Sequence, residues 1–396
     1  MHGLICVIRA FFYLQVSTMP TKIVIALDSF KGCLSSQEAG EAAARGVRQA
    51  CPDCQVQVVP VADGGEGLLE ALVSVTGGSL IHCRAHGPLM ELRDTCYGLS
   101  GDGRTAFIEM ARISGLPLVP EELRNPLLTT TYGTGELIAD ALQRGCRHFL
   151  IGLGGSATND AGLGMLQALG FRFLDGNGTE VGLGGQALAR VESVDTSCIP
   201  TELREAVFTA ACDVRNPLYG PEGAAFVFAP QKGATPKMVQ ELDAGLRHFS
   251  EVLRRELGTD ISTLPGAGAA GGMGGGLSAF LHAELKPGIE LVLAAADFPT
   301  LLHDADLVIT GEGRADRQTL MGKVPAGILR EARRQDIPVI LLAGQVQDKE
   351  ALLQAGFRAV QCINPPDTPL ETAVRPDFAR RQLAQAAFAT TNAVLR

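Results

Sequence analysis

The segment Lys22–Leu27, KIVIAL, is an unbroken apolar run that ends on an acid, Asp28. Strands buried on both faces read this way, and they belong to parallel sheets covered by helices. The next fifty residues fit that reading. Ser35 and Glu38 form a capping box that opens a helix through about Ala50. A second strand is expected at 56–61, and a helix at Leu68–Val75 that stops at Gly77-Gly78. The same alternation returns near the C-terminus. Strands are expected at 307–310, 338–343 and 359–363, and helices at 324–334, 349–354 and 377–394. This pattern is that of an α/β protein.

The middle of the chain differs in style. Segments 93–98 and 105–110 flank a Gly101-Asp102-Gly103 turn, which suggests antiparallel pairing. A helix is expected at 135–143 and strands at 148–153 and 207–212. Segments 171–174 and 179–181 flank another turn, and Pro236–Leu257 reads as a long amphipathic helix. The expectation is a doubly wound, Rossmann/flavodoxin-like domain built from both ends, 19–86 and 296–396, with a second α/β domain, 87–295, inserted. Two domains suit a chain of 396 residues. A cleft between them is a common place for a small molecule. Residues 1–18 are too short for a membrane span, are interrupted by Arg9 and lack the marks of a signal peptide. They read as an upstream extension, with the native start at Met19.

A formal net charge of −9 gives no electrostatic footprint for nucleic acid or an anionic membrane. The pair Cys51 and Cys54 has no second pair to complete a zinc set. It is read as reduced thiols in a cytoplasmic protein. Glycine is in excess, 47 of 396 residues, against roughly 7% in average usage. The excess is clustered, which points to backbone brought close to a ligand.

Ligands in open α/β sheets bind beyond the carboxyl ends of the strands. Three such ends carry acids: Asp28 in DSFKG, Asp63 in DGGEG and Glu312 in GEGR. Gly154-Gly155-Ser156-Ala157-Thr158-Asn159-Asp160 stands between a strand and a helical pattern, the geometry that aims N–H groups at phosphate. Gly266, Gly268 and Gly271 match Gly-x-Gly-x-x-Gly, yet the residues before them do not read as a strand. A second anion loop is the preferred reading there. A nicotinamide-dependent hydroxy-acid oxidoreductase is the weaker alternative. The stretch 311–323 gathers Glu312, Arg314, Asp316, Gln318 and Lys323 as a charged turn.

Taken together, DSFKG at 28–32, ADGGEG at 62–67, GTGEL at 133–137 and GGSATND at 154–160 resemble the bacterial glycerate kinase family. So do NPL at 216–218, PQKGA at 230–234, PGAGAAGGMG at 265–274 and TGEGRADRQT at 310–319. The resemblance covers nearly everything from Thr21 onward. It implies transfer of the ATP γ-phosphoryl group to D-glycerate, usually giving 2-phosphoglycerate, with 3-phosphoglycerate the other outcome. It also implies two α/β domains, one inserted in the other. A non-catalytic sensor with the same fold is a further alternative, and the number of copies in an assembly is left open.

Roles follow from physical chemistry. Mg²⁺ prefers few carboxylates plus waters and phosphate oxygens, so Asp63, Glu66 and Glu312 are its candidate holders. An acid must accept the hydroxyl proton. Asp28 and Asp316 are candidates, with Asp316 preferred. Lys31 and Arg314 suit the glycerate carboxylate or the migrating phosphoryl group, with Ser29, Gln318 and Lys323 beside them. Gly154, Gly155, Ser156, Thr158, Asn159, Gly266, Gly268 and Gly271 are expected to serve the nucleotide.

Overall fold

The computed structural model describes residues 21–395, so the expectation for residues 1–18 lies outside it. The strands in chain order are β1 (Lys22–Leu27), β2 (Gln55–Val58), β3 (Ser79–His86), β4 (Leu92–Leu99), β5 (Thr105–Glu109), β6 (His148–Gly152), β7 (Arg172–Leu174), β8 (Ser193–Asp195), β9 (Val207–Ala211), β10 (Glu284–Lys286), β11 (Leu307–Ala315), β12 (Val339–Val346) and β13 (Ala359–Cys362). They form a five-stranded sheet in the order β13-β12-β11-β1-β2 and a six-stranded sheet in the order β10-β9-β6-β5-β4-β3. A small pair, β7-β8, completes the set.

The five-stranded sheet is parallel throughout. Its order reverses between β1 and β11, which makes that junction a topological switch point. Alternate residues of β1 go to opposite faces, as the strand period requires. Ile23, Ile25 and Leu27 pack under the helices Ser36–Ala50 and Pro376–Leu395. Val24 and Ala26 face the helices Leu68–Val75, Gly288–Ala295 and Val324–Arg333. That same apolar cluster takes in Phe107, Leu150 and Ala211 from the six-stranded sheet. A layer of helices is therefore shared between the two sheets. The far face of the six-stranded sheet, with Ile108, Ile151 and Ala210, is covered by Tyr132–Gln143, Pro236–Leu257 and Ala269–Leu281.

The capping box at Ser35 and Glu38 is present as read, and β4 pairs antiparallel with β5. Several expectations are corrected. Residues 79–86 fall within the 19–86 segment expected in the end-built domain, yet they form β3, which pairs along its length with β4 in the six-stranded sheet. β11 does not stop at 310: Glu312 and Arg314 pair with Ala343 and Gln345 of β12, so the charged stretch begins as strand. Two neighbouring strands that both outrun the sheet hold each other extended. β7 pairs with β8, and its contact with the 179–181 segment is a single bridge at Glu180. Cys51 and Cys54 are joined by a disulfide rather than free. The tight turn they flank sets their Cα atoms 5.4 Å apart, within bridging range. No helix among the described residues is long and apolar enough to cross a membrane.

Candidate active site

The switch point puts two acids side by side. Leu27 is in register with Gly311, and the Asp28 N–H donates to the Gly311 carbonyl at 2.8 Å. Asp28, just past the end of β1, thus stands beside Glu312, which is still within β11. They open into a cavity of about 410 Å³ with Ser29, Lys31, Asp63, Arg314, Lys323 and Asn364 in its walls. Ile363, Leu370 and Val374 line its apolar side.

Asp28 is 5% exposed, and its side chain accepts a hydrogen bond from the Ser29 N–H at 2.7 Å. Burial pushes its carboxyl up to about 7. The charges of Asp63 and Glu312 add to the rise, while the Ser29 N–H and Lys31 oppose it. Glu312 is differently occupied. It accepts from the Thr319 hydroxyl at 2.6 Å and pairs with Lys323 at 3.6 Å, and burial raises its carboxyl as well. Arg314 is exposed and held by Gln347 at 2.9 Å and Asp316 at 3.4 Å. Lys31 is exposed and forms no ion pair among the described residues.

A second cavity, about 430 Å³, lies at the ends of β6 and β9. Gly154, Gly155, Ser156, Asp213, Gln231 and Lys232 line it, with Leu116, Val214 and Phe228 on its apolar side. Asp63 lines both cavities. The turn that carries Asp63 is seated by close glycine packing: a Cβ on Gly154 would come within 2.9 Å of the Gly65 Cα. Gly64, at φ +100°, packs against Gly288 and Asp213. The Gly288 N–H donates to Asp213 at 3.0 Å. Burial by the surrounding walls raises the Asp213 carboxyl, although part of it stays open to the cavity.

Several predicted site residues stand elsewhere. Asp316 caps the short turn Arg317–Leu320, accepts from the Gln318 N–H at 2.8 Å and faces Arg314. Neither Asp316 nor Gln318 lines the switch-point cavity, whereas Asp28 does. Glu66 does not line the switch-point cavity; it lines an adjoining one of about 700 Å³ with Glu70 and Arg112, which shares Ser29, Lys31 and Cys33 with it. Thr158 and Asn159 are fully buried and line neither cavity. Asp160, behind them, is spent on the N–H groups of Thr131, Gly162 and Gly164. The helix after the loop is only Leu163–Ala168, too short to add much dipole.

Gly266, Gly268 and Gly271 are buried, and their missing side chains make room for protein: Cys212 and Val214 at the first, Pro217 and Asn216 at the second, Thr158 and Asn159 at the third. The element before them is the helix Pro236–Leu257, and no strand leads into the loop. Asp213 and Lys232 lie on polar loops that the sequence marks either as a wall of the cleft or as simple turns, with no role assigned to either residue. Asp213 carried the same signal as Asp28, an acid just past a strand; Lys232 carried none outside its motif.

The family model described as the glycerate kinase family matches residues 23–395. The chain belongs to that family. It is an ATP-dependent kinase by that membership, and neither the oxidoreductase nor the sensor reading finds support. The kinase is 51% identical over 353 residues to the glycerate kinase of Bacillus subtilis (strain 168), covering 89% of this chain and 92% of that one. It is 51% identical over 340 residues to the glycerate 2-kinase of Escherichia coli (strain K12), covering 86% and 89%. Its fold matches the crystal structure of a candidate glycerate kinase 2 from Salmonella typhimurium LT2 with a TM-score of 0.86 and 46% identity, over 95% of this kinase and 98% of that chain.

Proposed function

We propose that the enzyme transfers the ATP γ-phosphoryl group to the 2-hydroxyl of D-glycerate, giving 2-phosphoglycerate. The observation that carries this is the position of Asp63, which lines two neighbouring cavities of different chemistry. Phosphoryl transfer needs two substrates held in line, with charge neutralised between them. The printed name of the Escherichia coli relative supports the 2-position.

In this reading the glycine-loop cavity takes ATP. Leu116, Val214 and Phe228 offer an apolar slot to the base, and Gly154 and Gly155 offer open backbone to the phosphates. The switch-point cavity takes glycerate, with Lys31, Arg314 and Lys323 around its carboxylate. Asp28 accepts the hydroxyl proton as that oxygen attacks the γ-phosphorus and ADP departs. The two sheets then belong to two α/β units, one from the chain ends and one from the middle, with the reaction between them.

No three His, Cys, Asp or Glu side chains gather into a metal cage among the described residues. That suits Mg²⁺, which keeps waters and phosphate oxygens and needs one or two carboxylates. Asp63 would hold it, with Glu312 behind, and Glu66 is dropped from the set. The bound ion would neutralise charge on the β- and γ-phosphates. We place the enzyme in the cytoplasm, where ATP is supplied.

The test is to incubate the protein with ATP, Mg²⁺ and D-glycerate and to follow the products by phosphorus NMR. A 2-phosphoglycerate resonance is expected. A 3-phosphoglycerate resonance would move the acceptor to the other hydroxyl, and ADP with no new phosphoester would defeat the reading.

A further inference from the structure

Lys232 has no place in that chemistry. It ends the turn Pro230–Lys232 with 2% of its surface exposed. A lysine ammonium carries three N–H donors. One goes to the Ser156 Oγ at 2.8 Å and one to the Thr158 carbonyl at 2.6 Å. Both acceptors are neutral, and Lys232 forms no ion pair among the described residues. Asp160 acts on it only from a distance, and the Asp160 oxygens are already taken by N–H groups. A buried cation without a counter-ion is costly. This one stands in the wall of a cavity, beside Gly154, Gly155 and Gln231.

We propose that Lys232 is the anion receptor of the glycine-loop cavity, its remaining N–H meeting a phosphate oxygen of the nucleotide. The proposal rests on the reading that seats ATP there. The same ammonium would receive a carboxylate if glycerate took that cavity, so the shared chemistry is an anionic oxygen. Ser156, expected from the sequence to touch phosphate, serves instead to aim the ammonium, together with the Thr158 carbonyl.

A proton linkage follows. Burial brings Lys232 down to about 7, so in the free protein it is largely neutral at pH 8. An anion in contact favours the charged form, and binding at that pH draws in a proton. The other titratable groups facing this place are Asp160 behind the loop and Asp63 and Asp213 across the cavity. Arg124, packed on Gly233, is held by the Val119 carbonyl. Burial already raises the Asp160 and Asp213 carboxyls, and an arriving anion favours their protonated forms further, so the uptake has to be assigned by mutation.

ATP and D-glycerate are titrated separately by calorimetry into the wild type and Lys232→Met at pH 8, in two buffers of different ionisation enthalpy. The variant is expected to bind ATP about ten- to a hundredfold more weakly, to lose the proton uptake and to keep its glycerate affinity. Loss of glycerate affinity in place of ATP would keep Lys232 as the receptor and overturn the seating of the nucleotide. Unchanged binding of both, or uptake that persists in the variant, would overturn the proposal itself. If Lys232→Met does not fold, the lysine ¹³Cε resonances of the wild type decide. One lysine should titrate near 7 and move upward with ATP or with glycerate. A spectrum with no such lysine, or with one that neither ligand moves, refutes the assignment.

Discussion

A carboxyl group buried at the end of β1 is tolerated by the fold while it is protonated and resisted once it ionises. Asp28 has its folded value raised to about 7, by burial first and then by Asp63, against about 3.9 in an unfolded chain. The stability it contributes is full below pH 4 and is lost as pH rises through 7. Asp28→Asn should therefore abolish turnover yet raise the melting temperature by a few degrees at pH 8, a gain on the order of 2–4 kcal/mol, shrinking toward nothing at pH 4. Asp316→Asn should lose a cap and keep most of its kcat. Thermal scans and initial rates at both pH values check this; a destabilised Asp28→Asn at pH 8 would show that the charge is welcome there. Asp28 was legible as a cavity residue because it directly follows the buried strand β1, whereas Asp63 stands beyond a loop after β2 and Glu312 lies within β11, so the same pattern pointed to them without their true setting. Asp316, Gln318 and Glu66 lie a few residues further on, where strand extension and turn geometry decide which way a side chain faces, and spacing alone does not reveal it.

Among the elements, the glycine runs were legible as places of close approach, but not as to what approaches. At 266–271 the answer is the rest of the same chain, mostly side chains at Gly266 and backbone at Gly268 and Gly271, and at Gly154 it is the turn carrying Asp63. The helix Ala269–Leu281 was hidden because its glycines mask the helical pattern, and residues 270–272 have left-handed backbone. Gly154→Ala tests the seating. Its Cβ would come within 2.9 Å of the Gly65 Cα, so the turn must give way. We expect a loss of about 1–3 kcal/mol in stability and a fall in kcat/KM of roughly tenfold or more, since small misplacements of a catalytic group are costly. Gly176→Ala is the control, because its Cβ would meet only Glu192, at 3.9 Å. Equal behaviour of the two variants in urea titrations and steady-state assays would contradict the seating.

For the whole molecule, the alternation of patterns foretold α/β layers, and the departure of the middle from the ends foretold two sheets. Their shared layer of helices was not legible, because burial of Leu72 or Val292 reads the same whichever sheet supplies the partner. Both lie in the apolar cluster that also holds Val24 and Phe107. Leu72→Ala should cost about 2–5 kcal/mol and lower a single calorimetric transition. Two resolved transitions, only one of them shifted, would mean that the sheets unfold independently.

The junction of β1 with β11 has a consequence during synthesis. Thr310 bonds to Ala26 across 284 residues of chain, and ribosomes add roughly 5–20 residues per second. For about a quarter of a minute to a minute, β1 waits with one edge unpaired and both apolar faces only partly covered. The nascent chain is exposed to wrong pairings through that interval, and a helper that shields β1 until β11 emerges would raise the yield of folded enzyme.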